Sequence, residues 1–281
     1  MEPHLIQGSE IWKNFRRSKL GGSDAPVIAL KSPWKTPYQL WLEKLNFWEQ
    51  PDNGAMARGR EMESVAREAF MQSTGIMIAP KVVISKEHPF LMASLDGMDM
   101  DEETIVEIKC VNANDHDLAL HGKVPEKYED QLLHQCIVTG LKKCIYFSYT
   151  PASFAIVEFY YDEDKARDLI QKETEFFECV KNLEPPKLTN KDYVECQDQS
   201  LRDDILEIRR LQLIQKEAKS QIESIKERIE ARPGLCNSRV GDSTLCRIVK
   251  RGNIQYQKID ILKDIDLEPY RAKPSTYWRI S

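Results

Sequence analysis

The most informative part of the sequence is Ser94-Leu95-Asp96-Gly97, followed shortly by Thr104-Ile105-Val106-Glu107-Ile108-Lys109-Cys110. The first segment predicts an acidic turn with a tight connection, and the second predicts a β-strand. Side chains on a strand point alternately to its two faces. One face of this strand is therefore apolar and carries Val106, Ile108 and Cys110. The other face carries Glu107 and Lys109 together with Ile105.

Asp96, Glu107 and Lys109 bring two acids and an ammonium group to this short segment. Carboxylates, a main-chain carbonyl and water suit Mg²⁺, which prefers oxygen ligands. Lysine shifts its pKa readily when desolvated, so Lys109 can position the attacking water or help to deprotonate it. These residue types at this spacing indicate metal-assisted hydrolysis of a phosphodiester. Taken singly, they also fit a turn aspartate and a solvent-facing pair on an edge strand.

The overall composition is that of a globular protein. A length of 281 residues allows one sizeable core with an appendage, and a hydrophobic fraction of 41% argues against global disorder. No apolar run reaches the roughly 18 residues that a membrane span needs. The N-terminus lacks the basic and apolar stretches of a secretory signal. Seven cysteines without a CxxC pair favour reduced thiols in a cytoplasmic protein over disulfides or a zinc site.

Charge is distributed unevenly along the chain. The formal net charge of −5 argues weakly against a nucleic-acid partner. Residues 231–281, however, contain ten Lys and Arg against five Asp and Glu. This basic tail is either a DNA-contacting surface or a solvated domain face, because basic and aromatic groups together can hold a nucleic-acid backbone and stack bases. Its candidate contacts are Arg247, Lys250 and Arg251, with the aromatic residues Tyr256, Tyr277 and Trp278.

The order of the predicted elements indicates an α/β protein of the α+β type, with a central mixed sheet flanked by helices. Apolar periodicity, and Thr36 as a cap before Pro37, predict the helices. Helices are expected at 10–20, 24–30, from 36 onward, 55–75, 127–139, 162–182 and 199–231, and strands at 76–84, 104–110, 143–149 and 154–161. Pro185-Pro186 separates a domain of residues 1–190 from an extension, 191–281.

The C-terminal extension is expected to contain a long helix or helical hairpin, followed by a β-hairpin. Apolar residues recur at steps of three and four over 199–231, for about four heptads. This stripe predicts either a coiled-coil hairpin or oligomer seam, or a long helix packed on its own domain. Residues 238–258 predict a β-hairpin with its turn at Arg251-Gly252-Asn253.

Four segments, spread over roughly residues 10–180, combine into a more specific pattern. They are Arg16–Asp24 with Thr36–Trp41, Arg58–Glu63 with Ala66-Arg67, Ser94–Gly97 with Glu107–Cys110, and Gln131–Gln135 with Val138–Gly140. In this order the chain resembles the YqaJ-like viral recombinase nucleases, relatives of phage lambda exonuclease in the PD-(D/E)xK nuclease superfamily. The resemblance implies a restriction-endonuclease-like core. Leu95 departs from it, because the family often has proline there.

The resemblance also implies roles for individual residues. The catalytic set that it implies is Glu63, Asp96, Glu107, Lys109 and Gln131. The implied metal ligands are Glu63, Asp96 and Glu107, with the main-chain carbonyl of Ile108. The 5′-phosphate of a DNA end would be held by Ser23 and Arg16, or by Arg17 if the register differs by one residue.

The activity implied by the resemblance is Mg²⁺-dependent 5′→3′ exonuclease digestion of double-stranded DNA ends, with Mn²⁺ as an alternative ion. The 3′ overhangs would be taken up by a single-strand annealing protein of phage-type recombination, in the cytoplasm of a bacterial host. The family further implies a homo-oligomer, a ring-shaped trimer, and no membrane association. The alternatives are an endonuclease of the same superfamily that cuts internally, and a non-catalytic DNA-binding module.

Overall fold

The computed structural model describes residues 10–51, 54–255 and 258–260, together with residues 265, 270, 272 and 275. The tail residues Tyr256, Tyr277 and Trp278 lie outside this description. The chain divides into two compact units, Met1–Val194 and Glu195–Ser281. Among the described helices, none is both long and apolar enough to cross a membrane.

The first unit is a mixed sheet flanked by helices, which confirms the predicted α/β class. Its helices are α1 (Glu10–Arg17), α2 (Ala25–Ile28), α3 (Pro37–Lys44), α4 (Gly54–Thr74), α5 (Ala113–Leu120), α6 (Glu126–Thr139) and α7 (Glu163–Asn182). Its strands are β1 (Leu20–Gly21), β2 (Ile78–Ile84), β3 (Leu91–Asp99), β4 (Ile105–Cys110), β5 (Lys143–Thr150) and β6 (Ser153–Tyr160). A 3-10 turn, Asn190–Asp192, follows α7.

Strand β3 organises the sheet because it has three neighbouring strands on its two edges. β2 runs antiparallel along one edge, pairing from Met92 to Asp99. On the other edge, β1 pairs in parallel with residues 91 and 92, and β4 pairs antiparallel with residues 97 and 98. Residues 93–96 lie between these two pairings, so the sheet forks at this point. β5 continues the sheet beside β4 in parallel, and β6 forms the next, antiparallel strand.

The two faces of the sheet bury separate apolar clusters. On one face, Ala66 and Phe70 of α4 pack with Val106, Ile108 and Phe147. On the other face, a larger cluster includes Ile105 of β4 with residues of α2, α3, α6 and α7. The predicted division of β4 into two faces is therefore confirmed.

Strand β3 corrects the prediction of a turn at Ser94–Gly97, because all four residues lie within it. Period-two alternation fails to reveal this strand, since both of its faces are largely buried. Gly97 is explained by close approach: a Cβ there would lie 2.3 Å from Cδ1 of Ile78 on β2. The chain turns instead after Asp99, where Glu102 has a φ of 60°.

Helix α3 begins at the cap that the sequence predicts. Thr36 Oγ1 accepts a bond from the Gln39 N–H, and the Gln39 side chain accepts one from the Thr36 N–H, both over 3.1 Å. With Pro37 in the first turn, this capping box starts α3 as expected. Helix α5, by contrast, has no counterpart among the predicted elements.

The second unit contains α8 (Gln199–Glu230) and a hairpin of β7 (Ser238–Val240) and β8 (Ser243–Leu245). α8 is one helix rather than a helical hairpin, and none of its 32 residues is buried. The predicted hairpin turn at 251–253 is wrong, because the chain reverses at Gly241-Asp242. Gly241 has a φ of 58°, which glycine adopts without a Cβ clash and which suits a two-residue hairpin loop.

Candidate active site

Asp96 and Glu107 lie side by side where β3 and β4 separate. The last strand pair is Gly97 with Val106, the residues next to Asp96 and Glu107 in the sequence. Beyond it, the main-chain N–H of Ile108 donates a 2.9 Å hydrogen bond to Asp96 Oδ2. The side chain of Asp96 thus takes the place of a main-chain partner and is fixed against β4.

Glu107 is 1% exposed and accepts hydrogen bonds from three side chains. Lys109 Nζ and Gln131 Nε2 donate to its Oε1, the glutamine over 2.6 Å. Gln135 Nε2 donates to Oε2. A buried carboxylate needs such donors because desolvation disfavours its charge. The two glutamines are one turn apart on α6, so this helix holds Glu107 from above the sheet.

The charged groups at the fork shift the pKa values of their neighbours. Burial lowers the pKa of Lys109, but the carboxylates of Glu107 and Asp96 outweigh it, so the pKa is raised and the ammonium stays charged. Burial raises the pKa of Asp96 well above its ordinary value, and the charges of Glu107 and Glu63 add to that effect. Glu63, Asp96 and Glu107 together carry more acidic groups than Lys109 and Arg67 can balance, and a bound cation would offset the difference.

Glu63 approaches the fork from α4, held by Arg67 one turn later. Arg67 Nη2 donates to Glu63 Oε1 over 2.5 Å, and Arg67 Nε donates to the main-chain oxygen of Asp96 over 2.8 Å. Arg67 therefore ties α4 to β3 at the site. It was not predicted as a site residue, although its spacing of four from Glu63 on a helix was a usable signal.

The donor atoms match the preference of a hard divalent cation for oxygen. Even so, no group of three His, Cys, Asp or Glu side chains in the described part of the chain is arranged to hold a metal ion. The oxygens of Glu107 instead accept hydrogen bonds from Lys109, Gln131 and Gln135. The residues fit such a cation by their chemistry, and Glu107 would exchange hydrogen-bond partners to bind it.

Arg16 and Ser23, predicted to hold a phosphate, lie together. Arg16 Nη2 donates to Ser23 Oγ over 2.6 Å. Gly22, next to Ser23, lies against α6, because a Cβ there would be 3.4 Å from Cγ of Gln131. The Arg16–Ser23 pair therefore adjoins the helix that holds Glu107.

A buried ion pair that the sequence did not reveal fixes the turn beside Ser23. Asp24 Oδ2 accepts bonds from Lys44 Nζ over 2.6 Å and from the Gly21 N–H over 2.9 Å. Burial raises the pKa of Asp24, but the charges of Lys44 and Arg16 outweigh it and hold this pKa well below its ordinary value. Lys44 carried no sequence signal, because a lysine in the last turn of a helix is ordinary.

Arg17, the alternative to Arg16, has a different partner. Arg17 Nη1 donates to Asn14 Oδ1 over 3.0 Å on an exposed part of α1, so Arg16 rather than Arg17 pairs with Ser23. The tail candidates belong to the second unit, where they are exposed and outside its helix and hairpin; they are Arg247, Lys250 and Arg251.

The sequence is similar to that of a known family and of one bacterial protein. Residues 11–142 match the model of the YqaJ-like viral recombinase domain. A Bacillus subtilis (strain 168) protein named uncharacterized protein YqaJ is 30% identical over 161 residues, covering 54% of this chain and 49% of that protein. The chain thus spans about half the length of this curated relative.

Structural comparison agrees on the fold. LHK-Exo, an alkaline exonuclease from Laribacter hongkongensis, matches with 23% identity over 62% of this chain and 94% of its own. The TM-scores are 0.55 for its crystal structure in complex with dAMP and 0.54 for a second crystal structure. The segment 11–142, which matches the model of the YqaJ-like viral recombinase domain, contains the fork, the Arg16–Ser23 pair and both glutamines of α6.

Proposed function

We propose that this protein is a metal-dependent exonuclease that digests one strand of double-stranded DNA from its 5′ end. The observation that carries the proposal is the fork, where Asp96 lies beside the buried carboxylate of Glu107 and Lys109 donates to that carboxylate. Two acids and a lysine at one strand separation can bind a metal ion and position an attacking water, which suits metal-assisted phosphodiester hydrolysis.

The oxygen donors of the fork would hold Mg²⁺, with Mn²⁺ as an alternative ion. They are Glu63, Asp96 and Glu107, with the main-chain carbonyl of Ile108. When bound, such an ion stabilises the charge that develops on the phosphate and lowers the pKa of water.

Lys109 orients the attacking water in this proposal. Its neighbours keep it charged, so it donates hydrogen bonds to the water rather than removing a proton from it. Gln131 and Gln135 hold the Glu107 carboxylate at the fork, and it would exchange hydrogen bonds with them for contact with the ion. The chain thus supplies pre-oriented donors and acceptors around the reacting atoms.

Arg16 and Ser23 are the basis for the proposed direction of digestion, from the 5′ end. The guanidinium and the hydroxyl lie 2.6 Å apart, so both can bind oxygens of one terminal phosphate. Hydrogen bonds between arginine and phosphate are charge-assisted and therefore strong. Gripping a 5′-phosphate beside α6 would place the next phosphodiester at the fork, which favours digestion from that end.

The recombination context supplies the partners. Digestion of the 5′-ended strand leaves a 3′ overhang, the substrate of a single-strand annealing protein, and a ring-shaped homotrimer would keep the enzyme on its DNA. The match of residues 11–142 to the model of a viral recombinase domain supports this context. The setting that we propose is the cytoplasm of a bacterial host, with DNA ends as the substrate.

The test is digestion of a duplex labelled at its 5′ or 3′ end, with Mg²⁺, with Mn²⁺ and with a chelator. We expect metal-dependent release of nucleotides from the 5′ end, while a closed circular duplex stays intact. Cleavage of the closed circle would identify an endonuclease instead. Metal-dependent digestion that begins at the 3′ end would contradict the proposed polarity, and DNA binding without cleavage at any metal concentration would indicate a binding module.

A further inference from the structure

An exposed aromatic surface adjoins the fork on the side of α6. The Trp34 side chain is 54% exposed, and its ring stacks on Tyr128 with a centroid distance of 6.1 Å. Lys109 Nζ lies 5.3 Å from the centre of the Tyr128 ring. Two ring contacts therefore connect the ammonium at the proposed reaction centre to a tryptophan facing solvent.

The charge near this surface is already balanced. Lys127 Nζ lies 5.3 Å from the ring centres of both Trp34 and Tyr128. The same ammonium donates to Asp115 Oδ2 over 2.7 Å. A phosphate would have to compete with Asp115 for Lys127, whereas the exposed surface of the indole is open to a flat apolar group.

The position of Trp34 is fixed by its surroundings. The main-chain N–H of Trp34 donates to Ser32 Oγ over 3.3 Å, and Lys31 Nζ donates to Asp130 Oδ1 on α6 over 3.0 Å. The segment before α3 is thereby tied to the helix that carries Tyr128. These bonds position the backbone of Trp34, and stacking on Tyr128 orders its ring, which reduces the conformational entropy that ligand binding would cost.

We infer that Trp34 is a stacking site for a nucleobase of the DNA beside the scissile phosphodiester. Bases stack on aromatic side chains regardless of sequence, because every base has a π-face. Stacking here would hold the nucleotide next to the phosphate that Lys109 and the fork act upon. This inference rests on the proposed function and adds to it a contact with a base rather than with the backbone.

The experiment compares two 5′-phosphorylated duplexes of one sequence, whose terminal nucleotides either carry their bases or are abasic. Binding to the full-length protein is measured by fluorescence anisotropy with a chelator present, and nucleotide release is measured with Mg²⁺. We expect the unmodified protein to bind the base-bearing end roughly five- to tenfold more tightly, at the low end of base–aromatic stacking. W34A should lose this discrimination, and W34F should keep much of it.

F47A is the matched control, because Phe47 is an aromatic residue of similar exposure, 50%, outside the surface just described. It should discriminate between the two ends as the unmodified protein does. The inference is overturned if the unmodified protein binds both ends equally, or if W34A retains the discrimination. Metal-dependent digestion that continues in either case would leave the proposed nuclease function standing. An unmodified protein that neither binds nor cleaves DNA ends would contradict both.

Discussion

The main-chain N–H of Ile108 donates a 2.9 Å hydrogen bond to the side chain of Asp96, just beyond the last pair of β3 and β4, Gly97 with Val106. A main-chain donor that loses its strand partner at a fork must find another acceptor, because an unpaired buried N–H is unfavourable. The aspartate meets this need with one oxygen and brings negative charge to the site. Asp96 therefore has a structural role and a proposed chemical role that substitutions can separate.

We expect D96N to fold like the unmodified protein and to lose cleavage by about 100-fold or more, the scale on which removing a key charge-stabilising group acts. The asparagine oxygen can still accept from the Ile108 N–H, but its charge is gone. D96A should in addition destabilise the fold by about 1–3 kcal/mol, because that N–H is left unpaired. Urea unfolding and end-labelled digestion measure the two effects.

D99N is the matched control on the same strand. Asp99 Oδ1 also accepts main-chain bonds, from Glu103 and Thr104 over 2.9 and 3.0 Å, but it lies at the far end of β3. It should cleave normally. Equal losses of cleavage in D96N and D99N would show that β3 is merely sensitive to substitution.

Lys109 should be required for cleavage but not for DNA binding. K109A removes the ammonium that donates to Glu107, so we expect a loss of at least about 100-fold in the rate of nucleotide release. Anisotropy with a chelator should show binding close to that of the unmodified protein. K143A is the control, because Lys143 is an exposed lysine on the neighbouring strand that pairs with Glu158. Retained cleavage in K109A would remove Lys109 from the mechanism.

Arg16 and Ser23 should set the preference for a phosphorylated end. The unmodified protein should digest a 5′-phosphate end about tenfold or more faster than a 5′-hydroxyl end, in line with one or two hydrogen bonds to a charged group. R16A and S23A should bring the two rates together, mainly by slowing the phosphorylated substrate. R17A, whose arginine bonds to Asn14 instead, should keep the preference. If R17A abolishes it and R16A does not, the two arginines have been assigned the wrong way round.

The sequence predicts those elements whose signals are local. Thr36 with Pro37 marks the start of α3, and alternation in β4 separates Glu107 and Lys109 from the apolar residues. The sequence does not predict β3 over Ser94–Gly97. Both faces of this strand are buried, so the alternation of polar and apolar residues is weak, and glycine is depleted in strands. Gly97 is needed because Ile78 of the neighbouring strand β2 leaves no room for a Cβ, and the local sequence does not show that contact.

Contacts between distant positions account for the parts of the site that the sequence did not reveal. Gln135 bonds to Glu107, 28 residues away, and Lys44 bonds to Asp24, 20 residues away. Neither side chain has a local pattern that identifies its partner, because a glutamine or a lysine on a helix is ordinary. Only the packing of α3 and α6 on the sheet brings Lys44 and Gln135 to their partners.

Gly97 should tolerate no side chain while Ile78 is in place. A Cβ at this position would meet Cδ1 of Ile78 at 2.3 Å, so G97A should destabilise the fold by about 1–3 kcal/mol through overpacking. I78V removes the clashing methyl group, and the double variant should recover part of the loss. Denaturant midpoints of the four proteins give the coupling energy. Additive effects of the two substitutions would contradict the proposed contact.

A buried pair on α6 and α7 should make stability depend on pH near neutrality. His134 and Glu173 are both 0% exposed, with His134 Nδ1 2.6 Å from Glu173 Oε1 and His134 Nε2 2.9 Å from the Met92 carbonyl. Both ring nitrogens therefore face acceptor oxygens, an arrangement that favours the imidazolium. Burial lowers the pKa of His134, but the charge and hydrogen bond of Glu173 outweigh it and raise this pKa.

A pKa raised by folding stabilises the native state fully below the ordinary histidine value of about 6.5, and the contribution is lost as pH rises through the folded-state pKa. E173Q removes the charge that favours the imidazolium. The free energy of unfolding of the unmodified protein should therefore exceed that of E173Q most at about pH 6, and the difference should shrink as pH rises above about 6.5. Urea titrations of both proteins across this range measure it, with E175Q as a control, since Glu175 is an exposed acid on the same helix. A difference that stays constant or grows with pH would show that His134 is neutral in the folded protein.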